Sequence, residues 1–145
     1  MTKWNERFMN LAESIGSWSK DPSRKIGAVI VDKDNRIVST GFNGFAREII
    51  DSNERLENKE IKRTLMLHAE ENAILYAKQD LSGCSIYVAG LPPCVHCSSM
   101  IIQSGIKYVY YKNTKKEKPS EFWKDNLLLA KQILTEAGVK LTEID

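Results

Sequence analysis

Cysteine is scarce in this chain and histidine scarcer still, with three of the first and two of the second among 145 residues. An odd, small cysteine count excludes the disulfide framework of a stapled secreted domain and implies reduced thiols in the cytoplasm. Long apolar runs are also missing. No stretch approaches the roughly 20 residues a membrane-spanning helix needs, and the start "MTKWNERFMN" lacks the basic-then-apolar layout of a secretory signal. No membrane association is therefore expected. Excess charge of one sign is nearly absent: 21 Lys and Arg stand against 19 Asp and Glu, a formal +2. That is too little to imply binding along a nucleic-acid backbone. A small anionic ligand, which needs only a few local cations, is not excluded.

What is present reads as one soluble domain over 1–145, with 42% hydrophobic and 28% charged residues. Trp4, Phe8, Leu11, Ile15 and Trp18 fall at helical spacing and predict an opening helix with that stripe in the core. "KIGAVIVDKDNRIVSTG" predicts two strands, Ile26 to Val31 and Arg36 to Thr40, around the turn "DKDN". From Asp51 to Arg63 the chain is polar, a loop or a solvated helix. A helix is expected from near His68 to about Gln79, then the strand "CSIYVAG". The break "LPP" precedes a helix from Cys94 to Ser104, with Gly105 as its cap. The strand "KYVYY" and the charged loop "KNTKKEKP" lead into a long helix, "SEFWKDNLLLAKQILTEAG", and a last strand, "VKLTEI". Strands alternating with helices after a hairpin predict a mixed sheet covered on both faces.

The scarce residues are grouped. Cys94 and Cys97 lie three apart at a helix start, about 60° around the axis, so both thiols share one face. The positive end of the helix dipole favours thiolate there. Pro92 and Pro93 suit that entry, where a missing N–H costs nothing. His68 opens another helix. Two thiolates and an imidazole are a zinc-like ligand set. Cys84 begins a strand whose far end leads to Cys94, roughly 13 Å away by strand rise, so it is expected to be a small buried hydrophobe. His96 lies about 160° from Cys94 around the helix and points elsewhere. Three ligands leave one tetrahedral position for water, the mark of a catalytic rather than structural site. Zinc lowers the pKa of such a water from about 15.7 to about 7. Glu70, two residues after His68, is placed to accept the proton and hand it on. Alone, it also reads as a first-turn acid favoured by the helix dipole.

"HAE" with "PCVHC" matches the H-x-E…P-C-x-x-C signature of zinc nucleobase deaminases. Over most of its length the chain resembles the cytidine/deoxycytidylate deaminase superfamily, and within it the deoxycytidylate (dCMP) deaminases. The stretches "SKDPSRKIGAVIVDKDNRIVSTGFNG", "HAEENAI", "GCSIYV" and "CSSMIIQSGIKYV" carry the likeness, as does the long link over residues 44–67. The resemblance implies an α/β fold, a cytidine-deaminase-like three-layer α/β/α sandwich with a central mixed sheet of about five strands. It implies His68, Cys94 and Cys97 as ligands of one Zn2+ per subunit, and Glu70 as proton shuttle. The implied reaction is hydrolytic deamination of dCMP to dUMP and ammonia, feeding dTMP synthesis. A homo-oligomer, perhaps a hexamer in the family's manner, is also implied, as are activation by dCTP and inhibition by dTTP, with Mg2+ accompanying such an effector.

For substrate contact, the resemblance implies Asn43 in "GFNG" against the sugar and base, and Arg24, Lys25 and Arg47 toward the phosphate, with Lys20 weaker. Asn in a glycine-flanked turn also serves its own backbone, and each cation also reads as ordinary surface. The chain departs from the family in "ARE" after "GFNG", in "TLM" before the metal histidine, and in lacking a clear tyrosine before the last helix. Phe122 or Trp123 can supply an aromatic wall there. Other readings are a deaminase of another small base, a zinc-stabilised binding module, and a redox C-x-x-C pair.

Overall fold

The computed structural model describes residues 2–114 and 119–145. Helix α1 spans Lys3–Gly16 and is capped by the Thr2 hydroxyl, which accepts the Asn5 N–H at 3.1 Å. Phe8, Met9, Ala12 and Ile15 form its buried face. The expected stripe is corrected at both ends. Trp4 is 44% exposed, stacked on Phe8 with the Arg7 guanidinium 4.8 Å over its ring, and Trp18, 63% exposed, lies past the helix. Both fall beyond the reach of the sheet that buries the central turns.

Strands β1 (Gly27–Val31) and β2 (Ile37–Phe42) form the expected hairpin. Its turn is tied by the Asp32 carboxylate, whose Oδ1 accepts the N–H groups of Asp34 and Arg36 at 2.9 Å each. The short β3 (Gly44–Phe45) pairs antiparallel with β4 (Met66–Leu67), a ribbon that no periodicity in the sequence announced. Between them lie α2 (Asn53–Glu57) and α3 (Lys59–Leu65), which bury no residue. The polar stretch is thus solvated helix.

Helices α4 (Ala69–Ala77), α5 (Val95–Ser104) and α6 (Glu121–Glu136) alternate with β5 (Ser85–Ala89), β6 (Tyr108–Lys112) and β7 (Lys140–Glu143). Of the charged stretch "KNTKKEKP", residues 115–118 lie outside the described residues. The main sheet runs β2-β1-β5-β6-β7. β1 is antiparallel to both neighbours, whereas β5, β6 and β7 are parallel, the mixed sheet that the element order predicts.

All five residues of β1 are buried because helices cover both its faces. Val29 and Val31 join Phe8, Met9 and Ala12 of α1. Ala28 and Ile30 join Ala69 and Ala73 of α4, Ile101 of α5 and Leu134 of α6. This is the three-layer sandwich. Cys84 is buried in the second cluster, as a small hydrophobe.

Gly41 sets how closely α4 lies on the sheet. A Cβ at this position would stand 2.5 Å from both the Ala69 carbonyl oxygen and the Ala73 nitrogen. The β2 backbone therefore touches α4, and the start of α4 is fixed over the sheet. Among the described residues no helix is long and apolar enough to cross a membrane.

Candidate metal centre

Two helix starts, those of α4 and α5, meet at this site. His68 is the N-cap of α4, with its own N–H donated to Glu71 Oε1 at 3.0 Å. Cys94 is the N-cap of α5, and its sulfur accepts the Cys97 N–H at 3.5 Å. The Ser98 hydroxyl donates to the Pro93 carbonyl at 3.2 Å, tightening the same turn. His68 Nδ1 lies 3.3 Å from Cys97 Sγ and 3.6 Å from Cys94 Sγ. All three donor atoms lie within 4.8 Å of one another.

This donor set fits a zinc ion. With Zn–S near 2.3 Å and Zn–N near 2.0 Å, a tetrahedron places nitrogen and sulfur about 3.5 Å apart. Among the described residues no fourth histidine, cysteine, aspartate or glutamate joins the cluster. His96 is on the outside of α5, its side chain 73% exposed and its Nε2 3.8 Å from Glu71 Oε2.

The pocket's protons follow from proximity. The Cys94 sulfur and nearby carboxylates hold a proton on His68, raising it to about 9 despite burial. The Cys97 thiol beside Cys94, helped by His68, pushes the Cys94 thiol down, and that same contact with Cys94, with burial, pushes Cys97 up. The thiol pair therefore shares one proton. Glu70, 5% exposed on the first turn of α4, is raised to about 7 by burial, against the pull of His68. A divalent ion in the pocket displaces the ligand protons and draws Glu70 back down.

The residues expected to touch substrate separate into two groups. The register of β3 against β4 pairs Gly44 with Leu67, so Asn43 stands one step further along, across from His68. Its side chain is committed to the protein: Oδ1 accepts the Ile26 N–H at 2.9 Å, and Nδ2 donates to the Arg24 carbonyl at 2.9 Å and toward Asp21 at 3.4 Å. The backbone-serving role of this asparagine is thus present in the structure. Arg24 and Lys25 belong to the loop that Asn43 holds, the Lys25 ammonium donating to the Ser19 carbonyl. Arg47 is elsewhere. It donates to the Tyr76 hydroxyl at 2.7 Å with its guanidinium over that ring, about 12 Å along α4 from His68. Lys20 pairs with Asp51 at 3.0 Å. Phe122 is largely exposed and meets Trp123 edge to face.

Sequence reasoning missed the anchor of this loop. Asp21 Oδ1 accepts the N–H groups of Ser23 at 2.8 Å and Arg24 at 3.2 Å, and the Lys62 ammonium at 2.9 Å. Burial pushes the Asp21 carboxyl up, but Lys62 and those N–H groups outweigh it and hold it below the usual carboxylate range. Lys62 is 41 residues away in a helix that reads as solvated surface, so no local pattern signals the pair.

Two thiols and an imidazole converge from two helix starts beside a buried acid, a group that could hold a metal ion. Residues 2–113 match the cytidine and deoxycytidylate deaminase zinc-binding region, and the chain belongs to that family. It is 46% identical over 142 residues to an uncharacterized deaminase in the luxG 3' region of Aliivibrio fischeri, covering 98% of this chain and 94% of that protein. It is 40% identical over 119 residues to the deoxycytidylate deaminase of Homo sapiens, covering 78% of this chain and 66% of that protein. The dCMP deaminase of cyanophage S-TIM5, solved in complex with dCMP and dUMP, superposes with a TM-score of 0.75 at 25% identity over 99% of each chain.

Proposed function

We propose that this protein, as a single zinc-dependent deaminase domain over 1–145, converts dCMP to dUMP and ammonia by hydrolysis. The observation that carries the reading is the cluster of His68, Cys94 and Cys97 around one point, with the buried Glu70 two residues from His68. Relatives that bear the name deoxycytidylate deaminase support the choice of substrate. His68 Nδ1 and the two sulfurs hold the zinc, one ion per subunit. When bound, zinc supplies Lewis acidity that brings a water's pKa to about 7.

The chain's own residues move the protons. The Glu70 carboxylate takes one from the attacking water and delivers it to N3 of the cytosine ring. Once the C4–O bond has formed, Glu70 takes the second proton from that C4 hydroxyl and gives it to the amine, so that the C4–N bond breaks, ammonia leaves and C4 keeps a carbonyl oxygen. The enclosed position of Glu70 suits this work, since burial opposes the pull of a bound ion on its proton and leaves the carboxyl able both to accept and to release one. Asn43 fixes the loop bearing Arg24 and Lys25, and these cations face the 5'-phosphate of the nucleotide. Arg47, tied to Tyr76, joins them only by leaving that partner.

Supply of dUMP for dTMP synthesis in the cytoplasm, assembly into a homo-oligomer, activation by dCTP with Mg2+ and inhibition by dTTP belong to the same proposal, on the strength of the resemblance. Ammonia release from dCMP, dCTP and cytidine, with dCTP and dTTP also added to the dCMP reaction, tests it. A preference for dCMP is expected, and a preference for the unphosphorylated nucleoside overturns the phosphate contacts.

A further inference from the structure

The family match ends at residue 113, yet the metal centre is held from beyond it. The peptide unit between Cys94 and Val95 is fastened at both ends. Its carbonyl accepts the Ser98 N–H at 2.8 Å, the first bond of α5. Its N–H donates to Asn126 Oδ1 of α6 at 3.0 Å, across 31 residues. The first N–H groups of a helix have no partner within it and ordinarily turn to water or to a local cap. Here the local cap, the Cys94 sulfur, is engaged by the Cys97 N–H. Among the described residues, the first-position amide of Val95 finds its acceptor in a side chain of the last helix.

That peptide plane is the backbone joint from which the Cys94 side chain departs. With Ser98 alone, the plane is pinned at one edge and free to rock about it; with Asn126 it is pinned at two. We propose that Asn126 is a positioning residue of the zinc site, fixing the Cys94–Val95 peptide so that the Cys94 sulfur stays in register with Cys97 and His68. It acts on the ligand's backbone and touches neither metal nor substrate. The grip of α6 on the rest of the protein does not depend on it, because Leu127, Ala130 and Leu134 form the buried face of that helix. The inference rests on the zinc-site part of the proposed function and not on the identity of the substrate, so the outcome of the substrate panel leaves it untouched.

The test measures release of zinc from the loaded protein to excess chromophoric chelator, alongside thermal melting. Asn126→Leu keeps the shape of the side chain and removes the acceptor; Asn126→Asp keeps an oxygen at the same place. Leu127→Ala removes packing from the same turn of α6 without touching Val95. Zinc release is expected to speed about tenfold in N126L, the lower end for loss of an outer partner of a metal ligand. It is expected to stay within about threefold of the parent in N126D, and to remain unchanged in L127A although L127A melts lower. Zinc release in N126L within about twofold of the parent overturns the proposal, as does equal acceleration in N126L and L127A, which reduces Asn126 to a packing residue. If N126L does not fold, Asn126→Ala against N126D gives the same contrast. A parent protein that takes up no zinc overturns the metal-site reading itself, before any variant is compared.

Discussion

Nδ1 of His68 lies 3.3 Å from Sγ of Cys97, although 29 residues and a whole strand separate them in the chain. The contact exists because α4 rests directly on β2 at Gly41 while α5 follows β5, two strands along with β1 between, so that the two helix starts converge. Each helix start brings a positive dipole end toward the same point, a setting in which thiolates, and then a divalent ion, are stable.

Glu70→Gln separates metal binding from proton transfer. The variant is expected to keep its zinc and to lose at least about 100-fold in kcat, the low end for removing acid–base help. Metal analysis and steady-state ammonia release check the two halves. Stability carries a second signature. Burial raises Glu70 from 4.5 to about 7, so the unfolded chain gives up this proton before the folded one does. The metal-free protein therefore loses stability as pH rises from 4.5 to about 7, and that decline disappears in the Gln variant.

Zinc uptake is expected to release between about two and three protons at pH 7: one each from His68 and Cys97, both held above neutrality in the metal-free pocket, and part of one from Glu70 as the ion draws it down. Each of those protons competes with the metal, so zinc affinity rises with pH across the neutral range. Titration calorimetry in buffers of different ionisation enthalpy counts them. Uptake without proton release contradicts the arrangement of charge described for the pocket.

Lys62→Met tests the anchor beneath the Arg24–Lys25 loop. Removing one partner of a buried ion pair costs about 3 kcal/mol at the low end, and Asp21 here retains two backbone N–H groups. Denaturant unfolding at pH 7 is expected to show a loss of up to that size, with KM for the nucleotide rising more than kcat falls. The Asp21 carboxyl is depressed in the fold. Its contribution is present above the ordinary value of 3.8 and lost as pH falls through its folded value. That acid limb is expected to flatten in the variant, as read by unfolding below pH 4.

Much of the site was legible because its parts are local. Cys94 and Cys97 on one turn, and His68 with Glu70 on another, are patterns that a single helix imposes. The chain's alternation of strands and helices likewise announced the mixed sheet. What escaped was of two kinds. The β3–β4 ribbon consists of two-residue strands, too short for any periodicity to show. The contacts of Lys62 with Asp21 and of Asn126 with Val95 join residues 41 and 31 apart, so neither partner's neighbourhood contains the other. Trp4 and Trp18 failed for another reason: a stripe at helical spacing shows which face is apolar, not where along it the covering sheet stops.

Gly41→Ala probes the seat of α4. The added methyl stands 2.5 Å from backbone atoms of Ala69 and Ala73, which cannot rotate away. Overpacking of this kind costs about 1–3 kcal/mol. Because the displaced element carries His68, zinc affinity is expected to fall along with the melting temperature, a pairing that equilibrium dialysis and calorimetry resolve.

The most direct test of the account is a crystal structure of the zinc-loaded protein. The expected result is one ion bound by His68 Nδ1, Cys94 Sγ and Cys97 Sγ, with solvent in the fourth position and the Glu70 carboxylate within hydrogen-bonding reach of it. A fourth protein side chain on the ion would leave no place for water and would contradict hydrolytic catalysis at this site.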